Sequence, residues 1–253
     1  MELIQIEQAG AVRSVTLARP EKRNALNPLM LNELHEAFSI EPAPAERVVV
    51  IRAQGPVFCS GLDLKERITT LAQPGASTIE TVLHAIENYL LPVVAIVQGD
   101  AIAGGNELAL HCDFVVASEE ARFGMSLAQI GLAPTWFLAK KLLEAAGPVT
   151  TREILLLGDP LPATRMYELG VIARVAPADE LEASAAQIID RLAKNAPLSL
   201  RAMKALVVRE MAFRDGIDHA DVDALLQQAR ESDDAREGIQ ARLGRRSAEF
   251  SGH

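Results

Sequence analysis

Apolar and polar residues alternate at the start of the chain. Ile4 and Ile6 flank Gln5, and beyond the Gly10 turn Val15 and Leu17 flank Thr16, so the pattern predicts two short strands. A polar bend, RPEKRNALN, follows. Asn27 then caps a predicted helix with Pro28 in its first position, where the missing N–H costs nothing. Leu31, Leu34 and Phe38 give that helix one apolar stripe. The β-branched run Val48-Val49-Val50-Ile51 reads as a strand buried on both faces, and residues 93–97 read as another. Residues 56–77 read as loop, with Pro74 and Gly75 marking a flexible stretch. A helix is expected from about Thr78 to Leu90. Gly99 ends the 93–97 strand, and Gly104-Gly105 opens the next helix. Strands at 114–116 and 122–123, a helix from near Pro134 and a last strand at 171–175 complete the alternation. From Ala178 onward only helices are expected.

Strand–helix alternation followed by a helical tail predicts an α/β core over residues 1–195 and a C-terminal helical region over residues 196–253. In that tail Met203, Leu206 and Val207 recur at helical spacing, as do Leu225, Leu226 and Ala229. Such stripes need a surface to cover them.

Composition narrows the partners. A formal charge of -9 disfavours nucleic acid and anionic membranes as main partners, although local cations can still hold a small polyanion. Cys59 and Cys112 offer no disulfide framework and fit a reducing compartment. No apolar run approaches the ~20 residues that span a bilayer, and the first residues lack a signal-peptide pattern. A cytoplasmic location is therefore expected. No His/Cys/Asp cluster has metal-ligand spacing, and no phosphate-loop or dinucleotide glycine pattern occurs.

Two stretches carry candidate chemistry, Phe58 to Leu64 (FCSGLDL) and Gly99 to Leu108 (GDAIAGGNEL). Each places glycine where backbone N–H groups can approach a ligand, and the second resembles a strand-to-helix turn. Two such donors meeting in space would hold the oxygen of a thioester as charge develops on it.

These stretches, together with RPEKRNALN at 19–27 and SDDAREG at 232–238, resemble in order and spacing the motifs of the enoyl-CoA hydratase/isomerase (crotonase) superfamily. The resemblance covers almost the whole chain. It implies a crotonase-like α/β spiral of repeated ββα units with a C-terminal helical region. It implies an oxyanion hole from the N–H groups of Leu62 and Gly104, with Glu107 as acid/base. The bend from Lys22 to Leu26 would line the groove for coenzyme A, which enters as part of the substrate, no separate cofactor being expected. Lys22, Arg23 and Lys65 are the local cations for its phosphates. Ala25, Ser60, Gly61, Asp63, Leu64 and Gly105 would line the substrate site, and Leu127 and Leu132 an apolar acyl pocket. The C-terminal helices would pack in a homotrimer or a dimer of trimers.

One position departs from the family pattern. Hydratases of this family generally carry a second glutamate twenty positions after the first, and that slot holds Leu127. Related enzymes place an acid eight residues further on, where this chain has Thr135. Water addition needs one group to activate water and another to protonate the α-carbon, each contributing ~10²–10⁴ in rate. Efficient hydration is therefore not expected, while isomerisation, decarboxylation and (de)hydration with an unusual second acid stay open. Glu80, His84 and Glu87 share one polar helix face and read first as a solvated face, with His84 the better substitute acid. Cys59 reads as packing, Asp63 as fixing the Gly61 turn, and His111 and Asp113 as capping or packing. Trp136 and Phe137 read equally as acyl-pocket wall or core. The alternative from another class is a pseudoenzyme that binds acyl-CoA without turnover.

Overall fold

The computed structural model describes residues 1–69 and 77–253, with residues 67–69 and 214 described by backbone alone. The anticipated flexible stretch around Pro74 and Gly75 lies outside the described residues.

The hairpin β1 (Ile4–Ala9) and β2 (Val12–Leu17) leads into α1 (Pro28–Ser39), where Asn27 accepts a hydrogen bond from Met30 N at 3.0 Å. Three turns of chain then follow one scheme. β3 (Val48–Ala53) is followed by a single bridge residue, Cys59, then by α2 (Leu64–Thr69) and α3 (Ile79–Glu87). β4 (Val93–Val97) is followed by β5 (Ala101–Ile102) and α4 (Gly104–Leu110). β6 (Phe114–Ser118) is followed by β7 (Arg122–Gly124) and α5 (Trp136–Arg152). The first strand of each turn joins one sheet, in which β2, β3, β4 and β6 pair in parallel. The second joins another, in which Cys59 bridges Ala101 and β5 pairs with β7. Each turn thus advances both sheets by one strand, which is a spiral of strand–strand–helix units.

β8 (Leu161–Pro162), α6 (Ala163–Glu168) and β9 (Arg174–Ala176) close the core, β8 against β7 and β9 against β6. The sheet order β1-β2-β3-β4-β6-β9 leaves two faces to cover. Val49, Ile51, Val93, Ala95, Val97, Val115 and Ala117 point into the main core with α1, α3 and α4. Val48, Val50, Val94, Ile96 and Val116 point the other way, against α7 (Leu181–Lys194). Burial on both faces is why these strands read as unbroken apolar runs. The tail forms α8 (Pro197–Met211), α9 (Ala220–Glu231) and α10 (Asp233–Gly244).

Four expectations need correction. Part of the 56–77 loop is the short helix α2, capped by Asp63. α3 ends at Glu87 rather than Leu90, with Asn88 closing its last turn. The last strand starts at Arg174, because Val171 and Ile172 pack into the core as a loop. β8, two residues long, was not anticipated.

Candidate active site

The bend at 19–27 is held from inside. Asn24, fully buried with φ 51°, accepts from Arg19 N at 2.9 Å and donates to Gln54 O and Val57 O, each at 2.9 Å. The buried Arg19 guanidinium donates to Ala25 O and Asp63 Oδ2 at 3.0 Å and to Glu66 Oε1 at 2.8 Å. Asp63, whose carboxyl is only partly desolvated, is held below its ordinary value by the α2 N–H groups and Arg19. Neither Arg19 nor Asn24 was singled out from sequence; a buried arginine clamp looks like any surface arginine until its partners meet.

The clamp docks the bend onto the Cys59–Leu62 segment. Ser60 N donates to Arg23 O at 3.1 Å, Leu26 N to Gly61 O at 2.8 Å, and Asp63 N to Leu26 O at 2.9 Å. Leu26 and Leu62 thus form a parallel bridge using residues 61 and 63, so the N–H of Leu62 faces the opposite edge. On that edge stands the start of α4. A side chain on Gly61 (φ 85°) would lie 3.0 Å from Gly104 N, and a side chain on Gly105 would lie 2.1 Å from Cys59 O. Only hydrogen at these two positions lets the two backbones touch. Ala103, just before Gly104, is held at φ 50° and ψ -118°, a strained conformation for alanine, with its N–H on Gly124 O at 2.7 Å. Among the described residues the N–H groups of Leu62 and Gly104 donate to no acceptor.

Glu107 sits one turn into α4, fully buried, with neither carboxylate oxygen hydrogen-bonded. Burial pushes its pKa well above 4.5; Lys141 pulls it back and Glu80 adds to the rise. His111, one turn later, is also fully buried, and burial lowers its pKa to about 4, so its ring is neutral at pH 7. Its Nδ1 lies 2.8 Å from Glu107 O, a carbonyl that can only accept, so Nδ1 carries the proton. Nε2 is left as a buried acceptor without a partner. The ring stacks on Phe137 of α5 at 5.1 Å between centroids. His84 of α3 lies 6.3 Å from the same Phe137. One turn along α5, Lys141 pairs with Glu87 at 2.6 Å. The polar face of α3, read from sequence as solvated, is therefore partly covered by α5.

The remaining expected residues divide by position. Lys22, Arg23 and Lys65 are exposed around the bend, Ala25 is buried beneath it, and Ser60 and Leu64 are half-buried beside Gly61. Leu127 is half-buried and packs on the main core, its carbonyl accepting from Leu132 N at 2.9 Å. Trp136 turns away and stacks on His219 at 4.5 Å, so Phe137 alone of that pair faces Glu107's helix. Cys59 is buried, its thiol pushed up to about 12 by burial. Asp113 accepts from Val93 N and Lys204 Nζ, each at 2.7 Å. No group of metal-ligating side chains occurs among the described residues.

A family model described as enoyl-CoA hydratase/isomerase matches residues 7–253. The chain belongs to the enoyl-CoA hydratase/isomerase family. A putative enoyl-CoA hydratase of Thermus thermophilus is 36% identical, over 98% of this chain and 100% of the relative. The 2,3-dehydroadipyl-CoA hydratase of Escherichia coli is 31% identical, over 99% of each. Among solved structures, an enoyl-CoA hydratase from Mycobacterium avium subsp. paratuberculosis superposes with a TM-score of 0.82 at 29% identity, covering 99% of both chains. A methylmalonyl-CoA decarboxylase superposes with a TM-score of 0.90 at 22% identity, covering 100% of this chain and 99% of that one. At that identity the likeness speaks for the fold. The α/β spiral is thus the crotonase fold, and the expectation of an enzyme of this family holds.

Proposed function

We propose that the chain processes acyl-CoA thioesters by stabilising their enolate, with the N–H groups of Leu62 and Gly104 as oxyanion hole and Glu107 as acid/base. The observation that carries this reading is the meeting of two unpartnered N–H donors with a buried carboxyl, one helical turn away, that accepts no hydrogen bond. A thioester oxygen between the donors gains negative charge as an α-proton leaves or water adds, and losing one such donor typically costs ~10²–10³ in rate. A carboxyl that keeps its proton through burial is suited to deliver it to the α-carbon. Exposure of Lys22, Arg23 and Lys65 around the bend supports the reading that they meet the phosphates of coenzyme A. Names such as 2,3-dehydroadipyl-CoA hydratase among the relatives favour an enoyl thioester as substrate.

A second reading, an acyl-CoA-binding pseudoenzyme, is favoured by Leu127, which cannot transfer a proton and packs on the core. Incubation with crotonyl-CoA in D₂O, followed by product mass beside a Glu107→Gln control, separates the two. Turnover that disappears in the control supports the enzyme. Tight binding without water addition, α-exchange or double-bond migration supports the pseudoenzyme.

A homotrimer or dimer of trimers is proposed as the assembly. It is supported by Leu198, Met203, Leu206, Val207 and Leu225, all exposed on α8 and α9.

A further inference from the structure

α3 runs alongside α4, and contacts along their length fix their relative level. A side chain on Gly104, at the start of α4, would lie 2.6 Å from Ile79 Cδ1 at the start of α3. Further along, Phe137 bridges the two helices, its ring centroid 6.3 Å from that of His84 and 5.1 Å from that of His111. Glu80, next to Ile79, therefore stands at the level of Gly104 and Glu107, and Glu107 feels its charge. Glu87 is held by Lys141 at 2.6 Å, whereas Glu80 is half-buried with no hydrogen bond or ion pair among the described residues. Glu107 is thus sealed from water and Glu80 partly open to it, at one level of two adjacent helices. Unequal environments of this kind separate an acid from a base.

We propose that Glu80 is the second acid/base group of this site, supplying from α3 what Leu127 does not supply. The inference rests on the enolate reading above. In water addition, Glu80 accepts a proton from water as the water oxygen bonds to the β-carbon of the enoyl thioester. The electron pair of the double bond passes to the thioester oxygen, forming the enolate at the two N–H groups. Glu107 then gives its proton to the α-carbon, and once the product has left, the proton on Glu80 passes across the vacated site to Glu107. One water is consumed and both carboxyl groups end as they began.

The test uses two reactions and the variants Glu80→Gln and Glu107→Gln, each checked for folding by thermal melting and for butyryl-CoA binding. α-Hydrogen exchange of butyryl-CoA in D₂O needs only the enolate machinery, while hydration of crotonyl-CoA needs both carboxyl groups. Glu80→Gln is expected to keep α-exchange within a few-fold and to lose ~10² or more of hydration, the worth of one acid/base group. Glu107→Gln is expected to lose both. Hydration that survives Glu80→Gln, or a wild type that exchanges but never hydrates, overturns the role of Glu80 and leaves the enolate reading standing. Loss of exchange together with hydration in a folded Glu80→Gln assigns the side chain a structural role and also overturns it. A wild type that neither exchanges nor binds overturns the enolate reading, and this inference with it.

Discussion

Glu107 and His111 lie one turn apart on the same buried helix, yet burial drives their titration in opposite directions. Glu107 holds its proton above 4.5, the ordinary carboxyl value, so over that range the unfolded chain has released a proton the folded chain keeps. Its contribution to stability therefore falls as pH rises, by at most about 1.4 kcal/mol per pH unit. His111 stays neutral down to about 4, whereas an unfolded histidine protonates below 6.5. Its contribution falls as pH drops from 6.5 towards 4, by on the order of 3 kcal/mol in total. Just above 4.5 the two slopes therefore oppose each other. Glu107→Gln should then make denaturation stability climb with pH across this window relative to wild type, and His111→Phe should make it decline. Equal slopes in wild type and Glu107→Gln would show that the carboxyl is not held protonated.

At the scale of elements, the site depends on α5 closing over α3 and α4. The Lys141–Glu87 pair is the charged part of that closure, with side chains 19% and 13% exposed. Lys141→Met strands the Glu87 carboxylate and is expected to cost about 2–3 kcal/mol in urea denaturation, less than a fully buried pair because water still reaches it. The double variant Glu87→Gln/Lys141→Met should recover most of that loss. Lys141 also opposes the burial of Glu107, so its removal should move the pH limb of α-exchange upward. A limb that stays in place would mean that the ammonium does not reach the site. The sequence could show the Glu80, His84 and Glu87 face but not its cover, because helical spacing says which side chains align and nothing about what packs on them. The same limit hid α2, six residues too short for a periodic signal, whose cap Asp63 looked like a turn. The central strands β3, β4 and β6 were legible because burial on both faces writes itself as a nearly unbroken apolar run. The Gly61, Gly104 and Gly105 positions were legible too, as glycines near candidate chemistry. That Gly61 would touch Gly104, and Gly105 would touch Cys59, is a property of the spiral.

For the whole molecule, the unresolved demand is the apolar surface of the tail. α10 returns to the body and buries Ala235, Gly238 and Ala241, while α8 and α9 bury no residue at all. α8 is tied to the core through Lys204, whose Nζ reaches Asp113 at 2.7 Å and Leu91 O at 3.1 Å. Leu198, Met203, Leu206, Val207 and Leu225 are left in water, a concentration of large side chains that a lone chain rarely tolerates. Each recovers about 1.5–3 kcal/mol if another copy covers it, so a few such contacts outweigh the cost of ordering a subunit contact. Leu206→Asp and Val207→Asp place charges in the middle of this surface without touching the core. Sedimentation at micromolar concentration should show the wild type as an assembly of three or six chains and the double variant as a monomer. Because α8 packs against the end of α3 through Lys204 and Ile86 O at 3.4 Å, losing the assembly should also loosen the helix that carries Glu80. Hydration should then fall more than α-exchange in the monomer. A monomeric wild type would leave those apolar side chains without a partner of the same kind and remove the assembly from the account of the site.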